Sequence, residues 1–174
     1  AKNRNSSDSI LEKLSTDEDE FVRGGVAENE KGCVTLLEKL ATDKEENVRQ
    51  SVATNKRSPS ELLEKMAKDD TVLYYLAENV NAPTSLLEKL ADLPGDDYEG
   101  VRRNVAINNS TPILLLVKLA EDGNDIVRCW AARNENMPAN KLEQLACDEK
   151  SIRLSVARNA STPGSLLKKL VKDK

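Results

Sequence analysis

Histidine is absent from this chain of 174 residues. With it go the most frequent general base, the most frequent metal ligand and any Ser-His or Cys-His nucleophile pair. Cysteine is sparse: Cys33, Cys129 and Cys147 are odd in number, far apart, and form no CxxC motif. A disulfide framework or a thiolate metal site is therefore not expected, and a reducing, cytoplasmic setting fits. Aromatic residues make up only 3% of the chain, so the core has to be aliphatic. The longest aliphatic run is Ile113 to Val117, far short of the roughly 20 apolar residues that span a bilayer. The opening stretch AKNRNSSDSI carries no apolar segment of the kind found in secretory leaders. A formal charge of −4 argues against a general nucleic-acid binder, which needs a basic surface.

What the chain does have is a repeat. A Val-Arg or equivalent pair recurs at Val22-Arg23, Val48-Arg49, Val72-Leu73, Val101-Arg102, Val127-Arg128 and Ile152-Arg153, with spacings of 26, 24, 29, 26 and 25 residues. Five residues after each Val or Ile stands Ala27, Ala53, Ala77, Ala106, Ala132 or Ala157. Two further on stands Asn29, Asn55, Asn79, Asn108, Asn134 or Asn159. Pro59, Pro83, Pro112, Pro138 and Pro163 follow four residues after their Asn, with Cys33 in the first slot. Each copy closes on a segment such as LLEKLA or LLVKLA, and ILEKLS at 10–15 is the tail of an earlier copy. Six repeats and a leading half therefore make up one domain, residues 1–174. The chain begins inside a repeat, as a fragment or an unusual cap would.

Each repeat is predicted to hold two short helices. Pro in a first turn, preceded by Ser58, Thr111 or Thr162, reads as a helix start with a hydroxyl cap, and Ser58 with Glu61 fits a capping box. Leu62, Leu63, Met66 and Ala67 then form one apolar stripe on a helix of about three turns. The Val-Arg segment reads as about two turns, partly 3₁₀. The Asn that follows is expected to close it through the left-handed conformation. Neither helix is long enough to stand alone. Stacking of neighbouring repeats is what buries the stripes, so the expected fold is an all-α solenoid.

The pattern VRxxVAxNxxTPxxLLxxLAxD, seen at 101–122 and again from Ile152, resembles the leucine-rich repeat variant family. The resemblance runs over nearly the whole chain. It implies a right-handed superhelix of alternating α and 3₁₀ helices, related to shortened HEAT repeats, and names no reaction. Some members carry a cysteine-ligated iron–sulfur module; this chain has no cysteine cluster, so no cofactor or metal is expected.

A repeat protein supplies its own control, because a residue that fills its column in every copy is first suspected of building the fold. Arg23, Arg49, Arg102, Arg128 and Arg153 are expected to pair with acids that end the previous repeat, namely Asp17, Asp43, Asp69, Asp122 and Asp148. Asn29, Asn55, Asn79, Asn108, Asn134 and Asn159 are expected to satisfy loop backbone. Departures from a column point elsewhere. Leu73 replaces the arginine and is followed by Tyr74 and Tyr75, and Trp130 shares the column of Tyr75. With Arg102 and Arg103 these would cluster on a concave wall, as binding hot spots do. The alternative is that the aromatics fill gaps beside small neighbours. Ile113, Leu114 and Val117 put apolar side chains on a helix face that other copies keep polar, either as a contact patch for a second copy of the chain or as cover for the longer loop LPGDDYEG at 93–100.

Three function classes compete on these residues. A non-enzymatic scaffold would bind a protein partner through the concave wall. A nucleic-acid-binding solenoid would use the arginine ladder. An enzyme would rest on pairs such as Asp96 and Asp97, which read better as a solvated turn. The first is favoured, with no membrane association.

Overall fold

The structure is a computed structural model that describes residues 8–171. Among these residues the regular structure is helical, with thirteen α-helices and two 3₁₀ turns. Helix α1 (Asp8–Leu14) is the leading half-repeat. The six repeats then pair α2 (Glu20–Ala27) with α3 (Val34–Leu40), α4 (Glu46–Thr54) with α5 (Ser60–Met66), and α6 (Leu73–Glu78) with α7 (Thr84–Ala91). They continue as α8 (Glu99–Ile107) with α9 (Ile113–Leu119), α10 (Asp125–Arg133) with α11 (Ala139–Leu145), and α12 (Lys150–Arg158) with α13 (Gly164–Leu170). The chain divides into two compact units after Leu86, inside α7.

Within the first unit the Val-Arg helices α2, α4 and α6 lie against one another; within the second, α8, α10 and α12 do the same. The Leu helices wedge between them: α3 touches both α2 and α4, and α9 touches both α8 and α10. This is the packing of an α-solenoid. The Val column reaches the core from the second repeat on: Val48, Val72, Val127 and Ile152 are fully buried, while Val22 is half-buried. Ala27, Ala53, Ala77, Ala106 and Ala132 are fully buried as well, since only a methyl fits where successive helices approach. Leu37, Leu63, Leu116 and Leu142 fill the space under the Leu helices.

Several local expectations change. In five of the six repeats the Val-Arg helix is the longer partner, mostly nine residues against seven; in the third, α6 has six residues and α7 eight. Both helices of every repeat are α. The 3₁₀ turns occur where the spacing is irregular, at Asp70–Val72 and Asp96–Tyr98. The hydroxyls before Pro do not cap the helices that follow. Ser58, Thr111 and Thr162 each donate backwards at 2.6 Å to the carbonyl of Val52, Val105 or Val156, and no side-chain hydrogen bond caps α5, α9 or α13. Facing inward, the hydroxyl satisfies a carbonyl at the end of the preceding helix, where four carbonyls lack helical partners. The Ser58–Glu61 capping box is therefore not formed.

The Asn column is also not left-handed. Asn55, Asn79, Asn108, Asn134 and Asn159 are extended at ψ of 122–129°, and among the described residues the only positive φ is that of Gly95, at 82°. Each Asn works through its side chain instead. Its Oδ1 accepts from the backbone N–H two residues on, as Asn134 does from Asn136 at 2.9 Å. In four of the copies its Nδ2 also crosses to the previous repeat. Asn55 donates to the carbonyl of Ala27, Asn79 to those of Ala53 and Asn55, Asn134 to those of Ala106 and Asn108, and Asn159 to those of Ala132 and Asn134. The column is a buried hydrogen-bond ladder between repeats.

Candidate functional site

The arginine column lies at the opposite end of the Val-Arg helices from the Asn ladder. Its register differs by one repeat from the expected one. The carboxylate that each guanidinium grips lies in the following repeat: Arg23 Nε donates to Asp43 at 2.7 Å, Arg49 Nε to Asp69 at 2.6 Å, and Arg102 Nε to Asp122 at 2.7 Å. The preceding aspartates contribute backbone carbonyls. Arg23 donates to those of Asp17 and Glu18, Arg49 to those of Asp43 and Lys44, and Arg128 to those of Asp122 and Gly123. Arg153 reaches the carbonyl of Asp148. The guanidinium forks of Arg23, Arg49 and Arg102 thus join the loop before their helix to the loop of the next repeat, a task that suits a planar donor with five N–H groups.

Arg102 is corrected most clearly. It stood among candidate partner-binding residues, yet it is 7% exposed and holds Asp122 in a two-point pair. Its remaining donor closes the 93–100 loop, accepted by the carbonyls of Leu93 and Gly95 at 3.0 and 2.7 Å. Gly95 turns its carbonyl to that position with a φ of 82°, a conformation that costs glycine little.

The aspartates respond electrostatically. The Arg23 hydrogen bond holds the Asp43 carboxyl below the usual carboxylate range, against burial, which pushes it up. At Asp69 burial pushes upward, but hydrogen bonds from Thr71 and Arg49 outweigh it, and the net shift is again downward. A folded-state value below the unfolded one stabilises the fold above the unfolded value of about 3.9. That stabilisation is lost as pH falls through the lower folded value. Asp43→Asn is accordingly expected to lose less stability than the parent chain when urea midpoints are followed from about pH 5 down to about pH 2. Parallel acid limbs for the two chains would show that Arg23 does not favour the charged carboxylate.

The aromatic departures sit half-open. In the first unit Tyr74 is 39% exposed and meets Tyr75 edge-on at 5.4 Å. Tyr75 is half-buried and lines a hollow with Thr54, Lys56, Glu78 and Val80. In the second unit Arg103 is half-buried on α8. Trp130 is half-buried on α10, with the guanidinium of Arg133 4.6 Å over its ring. Trp130 opens into a hollow of about 290 Å³, shared with Ile107, Asn109, Arg133, Glu135 and Arg158. Tyr74 and Tyr75 thus belong to one unit, and Arg102, Arg103 and Trp130 to the other.

On the Leu-helix side, Ile113 is 52% and Leu114 84% exposed, while Val117 is half-buried. The 93–100 loop has Leu93 and Tyr98 half-buried and leaves Leu114 open.

Column departures did not single out Arg133 and Arg158. Their signal was present six residues after each Val or Ile, where Glu28, Thr54 and Glu78 give way to Ile107, Arg133 and Arg158. All six are exposed. Among the described residues no group of three or more His, Cys, Asp or Glu is arranged to hold a metal ion, and no helix is long and apolar enough to cross a membrane.

No protein-family model and no curated protein matches the sequence. Among solved structures the chain is similar to one described as a leucine-rich repeat variant with a novel repetitive protein structural motif. The match has 28% identity and a TM-score of 0.68, and it covers 98% of this chain and 68% of that one. In fold and in repeat pattern the chain is similar to a leucine-rich repeat variant: it is an α-solenoid of paired short helices.

Proposed function

We propose that this chain is a non-enzymatic scaffold that binds protein partners through the open face of its Val-Arg helices, in a cytoplasmic setting. The observation that carries this reading is the aromatic substitution of a small-residue column. Where other repeats have Gly25, Ser51, Asn104 and Ser155, two have Tyr75 and Trp130. Both rings are half-open beside hollows. Tyr and Trp dominate protein interfaces because they bury much area at small entropic cost, and Trp130 has Arg133 beside it. The unpaired state of Cys33, Cys129 and Cys147 supports the reducing compartment. The arginine ladder that a nucleic-acid reading would require is taken up by aspartates and carbonyls.

The test pairs Tyr75→Ala with Trp130→Ala. The double variant is expected to keep the helical circular dichroism of the parent. Proteins captured by the parent chain, identified by mass spectrometry and then purified, are expected to bind the variant at least about tenfold more weakly, as loss of two interface anchors does. Equal affinity for both chains would overturn this choice of surface.

A further inference from the structure

We propose that the hollow around Trp130 is a docking site for an acidic peptide segment, one with carboxylates on either side of an apolar side chain. This deepens the scaffold reading and rests on it. Three observations converge. First, the exposed column six residues after Val or Ile changes sign along the chain, from Glu28 and Glu78 to Arg133 and Arg158. Secondly, among the described residues neither Arg133 nor Arg158 has a carboxylate partner, whereas the column arginines Arg23, Arg49 and Arg102 each do. Arg133 lies over the Trp130 ring instead. Thirdly, both arginines line the same hollow as the apolar side chains of Ile107 and Trp130.

The two arginines stand on adjacent helices, α10 and α12, whose axes in packing of this kind lie about 8–10 Å apart. An extended chain advances about 3.3 Å per residue. Alternate side chains share a face, so carboxylates two residues to either side of a central apolar residue, about 13 Å apart, can meet two arginines whose long arms reach outward from those axes while the central side chain meets the hollow. A planar guanidinium accepts a carboxylate in the two-point geometry already seen between Arg102 and Asp122. A nucleic-acid strand fits less well, because two cations make no backbone track.

Trp130 is the only tryptophan in the chain, so its fluorescence reports this hollow directly. The full chain is titrated at physiological salt with a decapeptide of Glu and Asp around one central Leu. Parallel titrations use the same peptide with Leu replaced by Ser, a Lys-for-acid counterpart, and single-stranded oligo-dT. The acidic Leu peptide is expected to shift Trp130 emission saturably, and the Ser peptide to bind more weakly. The Lys peptide and oligo-dT are expected to leave the emission unchanged. Arg133→Glu with Arg158→Glu should weaken the acidic peptide at least about tenfold with unchanged circular dichroism. Arg133→Lys with Arg158→Lys should retain part of the binding.

No saturable shift with the acidic Leu peptide overturns the proposal, as does equal affinity in the charge-reversed chain. Tighter binding of oligo-dT overturns it in favour of a nucleic-acid ligand. If the acidic peptide fails while purified protein partners still depend on Trp130, the ligand chemistry is wrong and the scaffold reading survives.

Discussion

Arg102→Met is expected to lower the unfolding free energy by about 3–5 kcal/mol, the cost of removing one partner from a buried ion pair. Asp122 would be left with its side chain 10% exposed and no counter-charge. The carbonyls of Leu93 and Gly95 would lose their donor at the same time. Met preserves much of the aliphatic packing, so the loss reports the guanidinium rather than a cavity. Adding Asp122→Asn removes the stranded charge and should recover a large part of the loss, which a double-mutant cycle in urea measures. Limited proteolysis gives a second readout, with cleavage expected to rise within 93–100, where Arg102 fastens the loop. A loss below about 1 kcal/mol would place the pair with ordinary surface ion pairs and remove its role in joining repeats.

Asn134→Ala is expected to cost about 3 kcal/mol, since each buried polar group stripped of its partner costs about 1–3 kcal/mol. Asn134 is 5% exposed. Its amide donates to the carbonyls of Ala106 at 2.8 Å and Asn108 at 3.3 Å, and its Oδ1 accepts from the N–H of Asn136. Asn134→Asp separates the two functions. A carboxylate still accepts from Asn136 but offers no donor to the carbonyls of the previous repeat. It should therefore destabilise at least as much as Ala. If Asp is instead well tolerated, the local turn is what the column supplies and the link across repeats is unimportant.

Both residues were visible in the sequence, and so was the kind of group each would hold, an acid for Arg102 and loop backbone for Asn134; which repeat supplied each partner was not. Periodicity reveals which residues share a face, because 3.6 residues per turn turn a spacing into a direction. The Leu stripe and the Val and Ala columns were legible for this reason. The direction of a hydrogen bond between repeats is not encoded that way. Asp43 is six residues before Arg49 and twenty after Arg23, and both arginines use it: one takes its carboxylate and the other its carbonyl. Sequence proximity favoured the nearer pairing, whereas stacking brought the distant carboxylate to the guanidinium. Ser58, Thr111 and Thr162 precede a Pro and a helix, so a forward cap was the local expectation. Burial turned them back to carbonyls of the helix behind.

The candidate surface shows the same division. That Tyr75 and Trp130 depart from a small-residue column is a property of the aligned repeats. That Trp130 shares an open hollow with Arg133 and Arg158, while Arg102 is shut inside, depends on how neighbouring helices cover one another.

The amino-acid order alone determined that this protein is built of six helical pairs and a leading half, because aliphatic side chains recurring at helical spacing have one shared way out of water. Only the tertiary structure decided which polar groups meet across the repeats and which arginines stay exposed. Those outcomes follow from the offset of one helix pair on the next, and that offset is set by packing rather than by distance along the chain.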